Sequence, residues 1–232
     1  MISIFNKSVT AALLAGTLLA APAQAQFGGM LGKAKSAAGL GSSDTQARAM
    51  SGDEADAFLT ASLRSTKNVM IATALLAEAV QNRGPLTARK AQIEALNSIS
   101  NFKELSAHKS TLSADIAALN ARQDLSADIN ARYQAGTAEE KKLLGVAVVN
   151  FAIGIARNVD LVGKAPQVLD AVKRNPQLLT RVGQFKLAAE LVGLQGKGLA
   201  GVATSVPKLI AATKVRAPKD AKTSEPQPVS FI

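Results

Sequence analysis

The sequence contains no cysteine and no tryptophan, and it has one tyrosine and one histidine among its 232 residues. Without cysteine the chain forms no disulfide, offers no thiolate and carries no lipid on an N-terminal cysteine. Because His108 is the only histidine, one chain cannot assemble a His–His metal site. The near absence of aromatic side chains argues against nucleic-acid binding, since bases stack on such side chains. Because no disulfide can form, the fold must be held together by packing alone.

The first 25 residues have the parts of a secretory signal peptide. Lys7 precedes an apolar run from Val9 to Ala21, and Ala23-Gln24-Ala25 has the small-x-small form of a signal peptidase site. The apolar run is too short to span a bilayer comfortably. The sequence therefore predicts cleavage between Ala25 and Gln26 and export to the bacterial periplasm or the extracellular medium.

Ala, Leu, Lys and Gln are abundant, and these residues favour helices over strands. Ser51 with Glu54, and Thr137 with Glu140, form capping-box patterns that are typical of helix starts. The sequence therefore predicts an all-α protein, a multi-helix bundle with flexible ends. The predicted order is a signal peptide (1–25), a flexible Gly/Ala-rich leader (26–50), a helical domain (51–215) and a disordered, proline-containing tail (216–232).

Two finer predictions concern helix boundaries inside the helical domain. One continuous helix is expected from about Phe102 to Tyr133, ending near Gly136. Pro166 is expected in the first turn of a new helix beyond Arg157, because proline suits that position and breaks helix interiors.

The segment from Lys141 to Arg157, KKLLGVAVVNFAIGIAR, is apolar on every face of a helix. Between Leu143 and Ala156 only Asn150 is polar. A helix of that length extends about 21 Å, against about 30 Å of hydrocarbon in a bilayer. Such a helix is typical of the centre of a bundle, surrounded by amphipathic partners. The sequence therefore predicts a bundle around a central helix at about 143–157, and membrane insertion of this segment is the alternative.

Positive charge is concentrated in the C-terminal part of the chain. Residues 141–232 contain 14 Lys and Arg and five Asp and Glu, whereas residues 51–140 contain nine and 11. We therefore expect a non-enzymatic protein whose basic C-terminal half binds an acidic protein, a polysaccharide or lipopolysaccharide. The basic residues predicted to attract and orient this partner are Lys141, Lys142, Arg157, Lys164, Lys173, Arg174, Arg181, Lys186 and Lys197.

The alternative function is a membrane-active protein that inserts amphipathic and apolar helices into anionic lipid after electrostatic capture. No catalytic residue, cofactor or metal is predicted. The glycine pattern at 196–201, G-x-G-x-x-G, lacks the βαβ surroundings of a dinucleotide site. Asp53-Glu54-Ala55-Asp56 spells the acidic string of a family of RNA helicases, but no phosphate loop accompanies it, and first-turn acids favour the helix dipole.

Overall fold

The structure of this chain is a computed structural model that describes residues 49–81 and 84–231. The predicted signal peptide (1–25) and all but the last two residues of the leader (26–50) lie outside the described residues. Within them 78% of residues are helical and no strand occurs, which confirms the all-α prediction. The helices are α1 Gly52–Gln81, α2 Lys90–Ser98, α3 Phe102–Ser106, α4 Lys109–Asn120, α5 Leu125–Ala135, α6 Ala138–Lys173, α7 Val182–Gly198, α8 Ala200–Ala203 and α9 Val206–Thr213, with 3-10 turns at Leu86–Arg89 and Pro176–Arg181.

Both predicted capping boxes are present, at the starts of the two longest helices that the structure describes. Before α1, the Glu54 amide donates to Ser51 Oγ at 3.2 Å, and the Ser51 amide donates to Glu54 Oε2 at 2.9 Å. Before α6, Thr137 and Glu140 make the same reciprocal pair, each at 3.2 Å. Each box satisfies amide groups that a helix start leaves without intrahelical partners.

Helices α1 and α6 pack against each other more extensively than any other pair of described helices and run antiparallel. Met50 lies beside Ala171 at one end, and Val69 lies against Gly154 further along. Helix α7 covers both, α4 packs on α1, and α9 packs on α5 and α6. The core therefore lies around this pair.

The predicted central helix is confirmed as the buried part of α6, which extends well beyond 143–157. Among the described helices, α6 is long and apolar enough to cross a membrane, but 67% of its most apolar stretch is buried inside the protein. Such burial is typical of the core helix of a bundle. The second half of α1 is enclosed more completely, since every residue from Asn68 to Val80 is buried. The bundle therefore has two central helices where the sequence indicates one.

Two helix boundaries differ from the prediction. The helix expected from Phe102 to Tyr133 is divided into α3, α4 and α5. Asp124 starts α5 anew, because its side chain accepts a hydrogen bond from the Ala127 amide. The break between Ser106 and Lys109, before α4, has no side-chain cap. Pro166 lies inside α6 rather than in a first turn. Proline removes one intrahelical hydrogen bond, and we attribute the continuity of α6 to the burial of Ala165 and Val168 on either side.

The C-terminal tail (216–232), described to residue 231, has no regular helix but makes specific contacts with the bundle. Asn150, which is 2% exposed, donates through Nδ2 to the Gln227 carbonyl and accepts at Oδ1 from the Gln227 amide, both at 2.7 Å. Val229 and Phe231 pack against the hydrophobic core. The tail thus has a defined position along the bundle, and its mobility stays a prediction.

Replacement of Gly154 by leucine is expected to lower the free energy of unfolding by about 1–3 kcal/mol through overpacking. A Cβ at Gly154 would overlap Val69 Cγ2 on α1. The control is Gly163→Leu on the same helix, where a Cβ would meet no atom within 4 Å. Chemical denaturation measures both variants, and equal stability of the two would contradict the close packing of α1 on α6.

Replacement of Asn150 by leucine is expected to destabilise the protein by about 1–3 kcal/mol, because the amide and carbonyl of Gln227 lose their partners. Leucine would be tolerated or stabilising at this position if the Asn150 side chain had no hydrogen-bond partner. Because the side chain is paired with Gln227, we expect the opposite effect. Asn130→Leu on an exposed face of α5 controls for the change in helix composition. A thermal melt in which Asn150→Leu is the more stable of the two variants would show that the pairing contributes nothing.

Candidate functional site

The candidate site is a basic pocket where the start of α6, the end of α9 and the following chain segment meet. Lys141 and Lys142 lie in the first turns of α6. Helix α9 ends at Thr213, and its C-cap Lys214 adopts a left-handed conformation with φ of 53° that turns the chain back across α6. Arg216 follows two residues later and lines the same pocket.

Val215 crosses α6 directly over Gly145. A Cβ at Gly145 would lie 2.8 Å from Val215 Cγ1, so the glycine makes this crossing possible. The close crossing holds Lys214 and Arg216, on either side of Val215, beside Lys141 and Lys142. Four basic side chains from two separate parts of the chain are thereby brought together.

The basic pocket has a volume of about 550 Å³. Tyr133 from α5 and Gln227 from the tail also line it. In the part of the chain that the structure describes, no Asp or Glu lines the pocket. Within residues 49–81 and 84–231, none of the four basic side chains forms an ion pair. Lys142, Lys214 and Arg216 are exposed and Lys141 is half-buried, so their charge is available to an anion.

The other predicted basic residues lie elsewhere and in different situations. Arg181 pairs with Asp56 at 2.5 Å, and Lys173 pairs with Asp170 at 3.3 Å. Arg174 is the exposed C-cap of α6. The remaining predicted lysines are exposed, are spread over α6 and α7 and do not line the basic pocket. They are Lys164, Lys186 and Lys197.

Arg157 differs from the expectation of a solvated charge. Its side chain is 16% exposed and donates through Nε to the Lys222 carbonyl at 3.0 Å and through Nη2 to the Ser224 carbonyl at 2.7 Å. Glu225 lies 3.7 Å from the same guanidinium. Arg157 therefore holds the tail in place.

Lys214 and Arg216 are absent from the sequence-based prediction of the site. The signal that could have found them is the basic run that directly follows the last helix, KVRAPK at 214–219. Only the reversal of the chain at Lys214 brings this run to the start of α6, and no local pattern reports that reversal.

A second charged cluster is enclosed by the bundle. Arg89 Nε donates to Glu78 Oε2 at 2.8 Å and Arg89 Nη2 donates to Asp115 Oδ1 at 3.1 Å, joining the 3-10 turn to α1 and α4. Both carboxylates are buried. Burial raises the pKa of Asp115 and outweighs the lowering effect of Arg89. The enclosure of the cluster argues for a structural role.

No group of three or more His, Asp or Glu side chains is placed to hold a metal ion within the described residues. His108, the sole histidine, is the half-buried N-cap of α4 and makes no side-chain capping bond. Comparison with known proteins finds no matching family model, no similar curated protein and no similar solved structure. The function is therefore inferred from the sequence and structure of this chain.

The raised pKa of Asp115 gives a testable pH dependence. A carboxyl group with a raised folded-state pKa binds more protons in the folded chain, so its stabilising contribution is lost as pH rises above about 4. We expect the difference in the free energy of unfolding between the native chain and Asp115→Asn to fall with rising pH.

Asp124→Asn supplies a control with the opposite sign. The Ser126 hydroxyl and the Ala127 amide lower the pKa of Asp124, so its contribution is lost as pH falls below about 4. Urea denaturation across a pH series measures both differences. A difference for Asp115→Asn that rises with pH would mean that the attraction of Arg89 outweighs burial.

Proposed function

We propose that this chain is an exported, non-enzymatic helical protein that binds an anionic envelope component or an acidic protein partner through its basic C-terminal half. The observation that carries the proposal is the basic pocket formed by Lys141, Lys142, Lys214 and Arg216. Export is supported by the signal-peptide pattern of residues 1–25. The partner then meets the protein in the periplasm or in the extracellular medium.

The chemistry of the basic pocket favours a polymer or surface that carries several anionic groups. Three of the four cations are lysines, which act as hydrated point charges without the fixed fork geometry of arginine. The basic pocket, with a volume of about 550 Å³, gives successive carboxylate, sulfate or phosphate groups room to approach. Such an array attracts and orients a partner more than it selects one chemical structure. A polysaccharide, lipopolysaccharide, acidic protein surface or anionic lipid headgroup fits this description.

Insertion of the apolar helix, which the membrane-active alternative includes, requires α6 to leave the bundle. Release of α6 would break the hydrogen bond from Asn68 Nδ2 to the Asn150 carbonyl, at 2.8 Å, and would separate Gly154 from Val69. The apolar second half of α1 would then also meet water. Surface binding through the basic pocket needs no such separation, and we therefore favour it.

The proposal is tested with a charge-reversed pair in the basic pocket, Lys214→Glu with Arg216→Glu. The probes are lipopolysaccharide, poly-glutamate and phosphatidylglycerol vesicles, each titrated across a salt series. We expect the mature chain, residues 26–232, to bind at least one probe in low salt. The pair of substitutions should weaken that binding by about tenfold or more, because local attraction becomes repulsion.

The matched control is Lys186→Glu with Lys197→Glu on α7, which changes net charge by the same amount outside the basic pocket. Equal weakening by both pairs would assign binding to general surface charge instead of the pocket. Vesicle binding that resists high salt would identify apolar insertion and favour the membrane-active alternative. Absence of binding to all three probes in low salt would contradict the proposed function.

A further inference from the structure

Residues 222–231 of the tail occupy a groove that is bordered by α1 and α6, and Gln227 lies between this groove and the basic pocket. The amide and carbonyl of Gln227 both bond to the buried Asn150 side chain, each at 2.7 Å. A side-chain amide that pairs with both polar groups of one residue reads the main chain of an extended peptide whatever its side chain is. The Gln227 side chain takes no part in these two bonds.

Arg157 makes a second contact with the main chain of the tail. It donates to the carbonyls of Lys222 and Ser224, at 3.0 and 2.7 Å. Asn150 and Arg157 lie two turns apart on α6, a distance of about 10.5 Å along the helix. An extended chain covers about 10 Å between Ser224 and Gln227. The spacing of the two side chains on α6 thus matches an extended peptide that runs antiparallel to the helix.

The side chains of the tail add specificity to this main-chain recognition. Glu225 is reached by Arg64 from α1 at 3.4 Å and by Arg157 from α6 at 3.7 Å. Pro226 and Pro228 favour an extended polyproline conformation, which lowers the entropy lost on binding. Val229 then packs against the hydrophobic core. The order that the groove accommodates is therefore an acid, a proline, any residue, a second proline and an apolar residue.

The tail leaves part of the groove unfilled. A cavity of about 500 Å³ lies between Pro226–Val229 and α1, where Lys67, Asn68 and Ile71 line it. Another of about 520 Å³ lies beside Lys222, between Arg64 and Asp160. Both cavities border the tail between Lys222 and Val229, so the groove has room for side chains larger than those of the tail.

We propose that the groove between α1 and α6 is a binding site for an extended segment of another exported protein, with an acidic residue directly before a proline. The chain's own tail is the resident occupant, and the incoming segment replaces it. Charge complementarity between Glu225 and the two arginines, and the main-chain pairing with Asn150, define the chemistry of the partner. The proposal requires no anion in the basic pocket.

The test uses a fluorescent peptide of residues 219–232, KDAKTSEPQPVSFI, added to the full mature chain, residues 26–232. In the native chain the tail competes, so the apparent affinity is reduced by the fraction of grooves that are free. Gln227→Pro in the chain removes the amide N–H that donates to Asn150 Oδ1 and keeps the extended conformation of the tail. We expect this variant to bind the peptide about tenfold more tightly than the native chain.

Three matched controls isolate the groove. Ser230→Pro in the chain should leave peptide affinity at the native value, because the Ser230 amide donates to no other described residue. Asn150→Leu added to the Gln227→Pro chain should abolish binding, with helix content checked by circular dichroism. A peptide that itself carries Gln227→Pro should bind about tenfold more weakly than the native peptide.

A titration of the isotope-labelled native chain, followed by NMR, tests the proposal without any substitution. Unlabelled peptide should move the amide signals of Glu225, Gln227, Val229 and Ser230 to positions typical of a free chain. Equal peptide affinity of the native, Gln227→Pro and Ser230→Pro chains would overturn the proposal, and so would peptide binding that leaves the signals of the tail unchanged. A concentration-dependent dimer in sedimentation equilibrium, dispersed by the peptide, would identify a second copy of the chain as the occupant and would equally overturn it.

Discussion

The close approach of α1 and α6 is the constraint on which the rest of the structure depends. Gly154 has no side chain, and Val69 of α1 fills the space beside it. Asn68 fixes how the two helices lie along each other, because its amide bonds to the Asn150 carbonyl. Each helix is buried over much of its surface, so neither helix would be stable in water on its own. The shorter helices cover the remaining apolar surface of the pair.

Directional polar contacts inside the bundle supplement this apolar packing. Asn158 of α6 donates to Gln195 of α7 at 3.1 Å, and Gln195 donates to the Thr66 carbonyl of α1 at 3.1 Å. Arg89 joins α1 to α4 through two buried carboxylates. Hydrophobic contacts tolerate many arrangements of similar volume, whereas buried hydrogen bonds are satisfied in few. In a chain without disulfides, these contacts favour one arrangement of the helices.

The elements that could be predicted from the sequence are those that depend on neighbouring residues. Thr137 and Glu140 are three positions apart, and the apolar stretch of α6 is continuous. The pairing of Asn150 with Gln227 joins residues 77 positions apart, and tertiary packing alone brings them together. Likewise, composition indicates that the tail lacks regular structure but says nothing of its path. Lys141 and Lys142 can be identified from the sequence as basic residues. Arg216 joins them only because the chain reverses its direction at Lys214.

Gln227 borders the basic pocket on one side and bonds to Asn150 in the groove on the other. A molecule that removes the tail therefore changes a wall of the basic pocket, and an anion held there sits against part of the tail. Thermodynamic linkage makes such an influence mutual: whatever factor an anion imposes on the affinity for a peptide, the peptide imposes on the affinity for the anion. Under the two proposals, Gln227 would therefore couple the binding of an anion to the binding of a peptide.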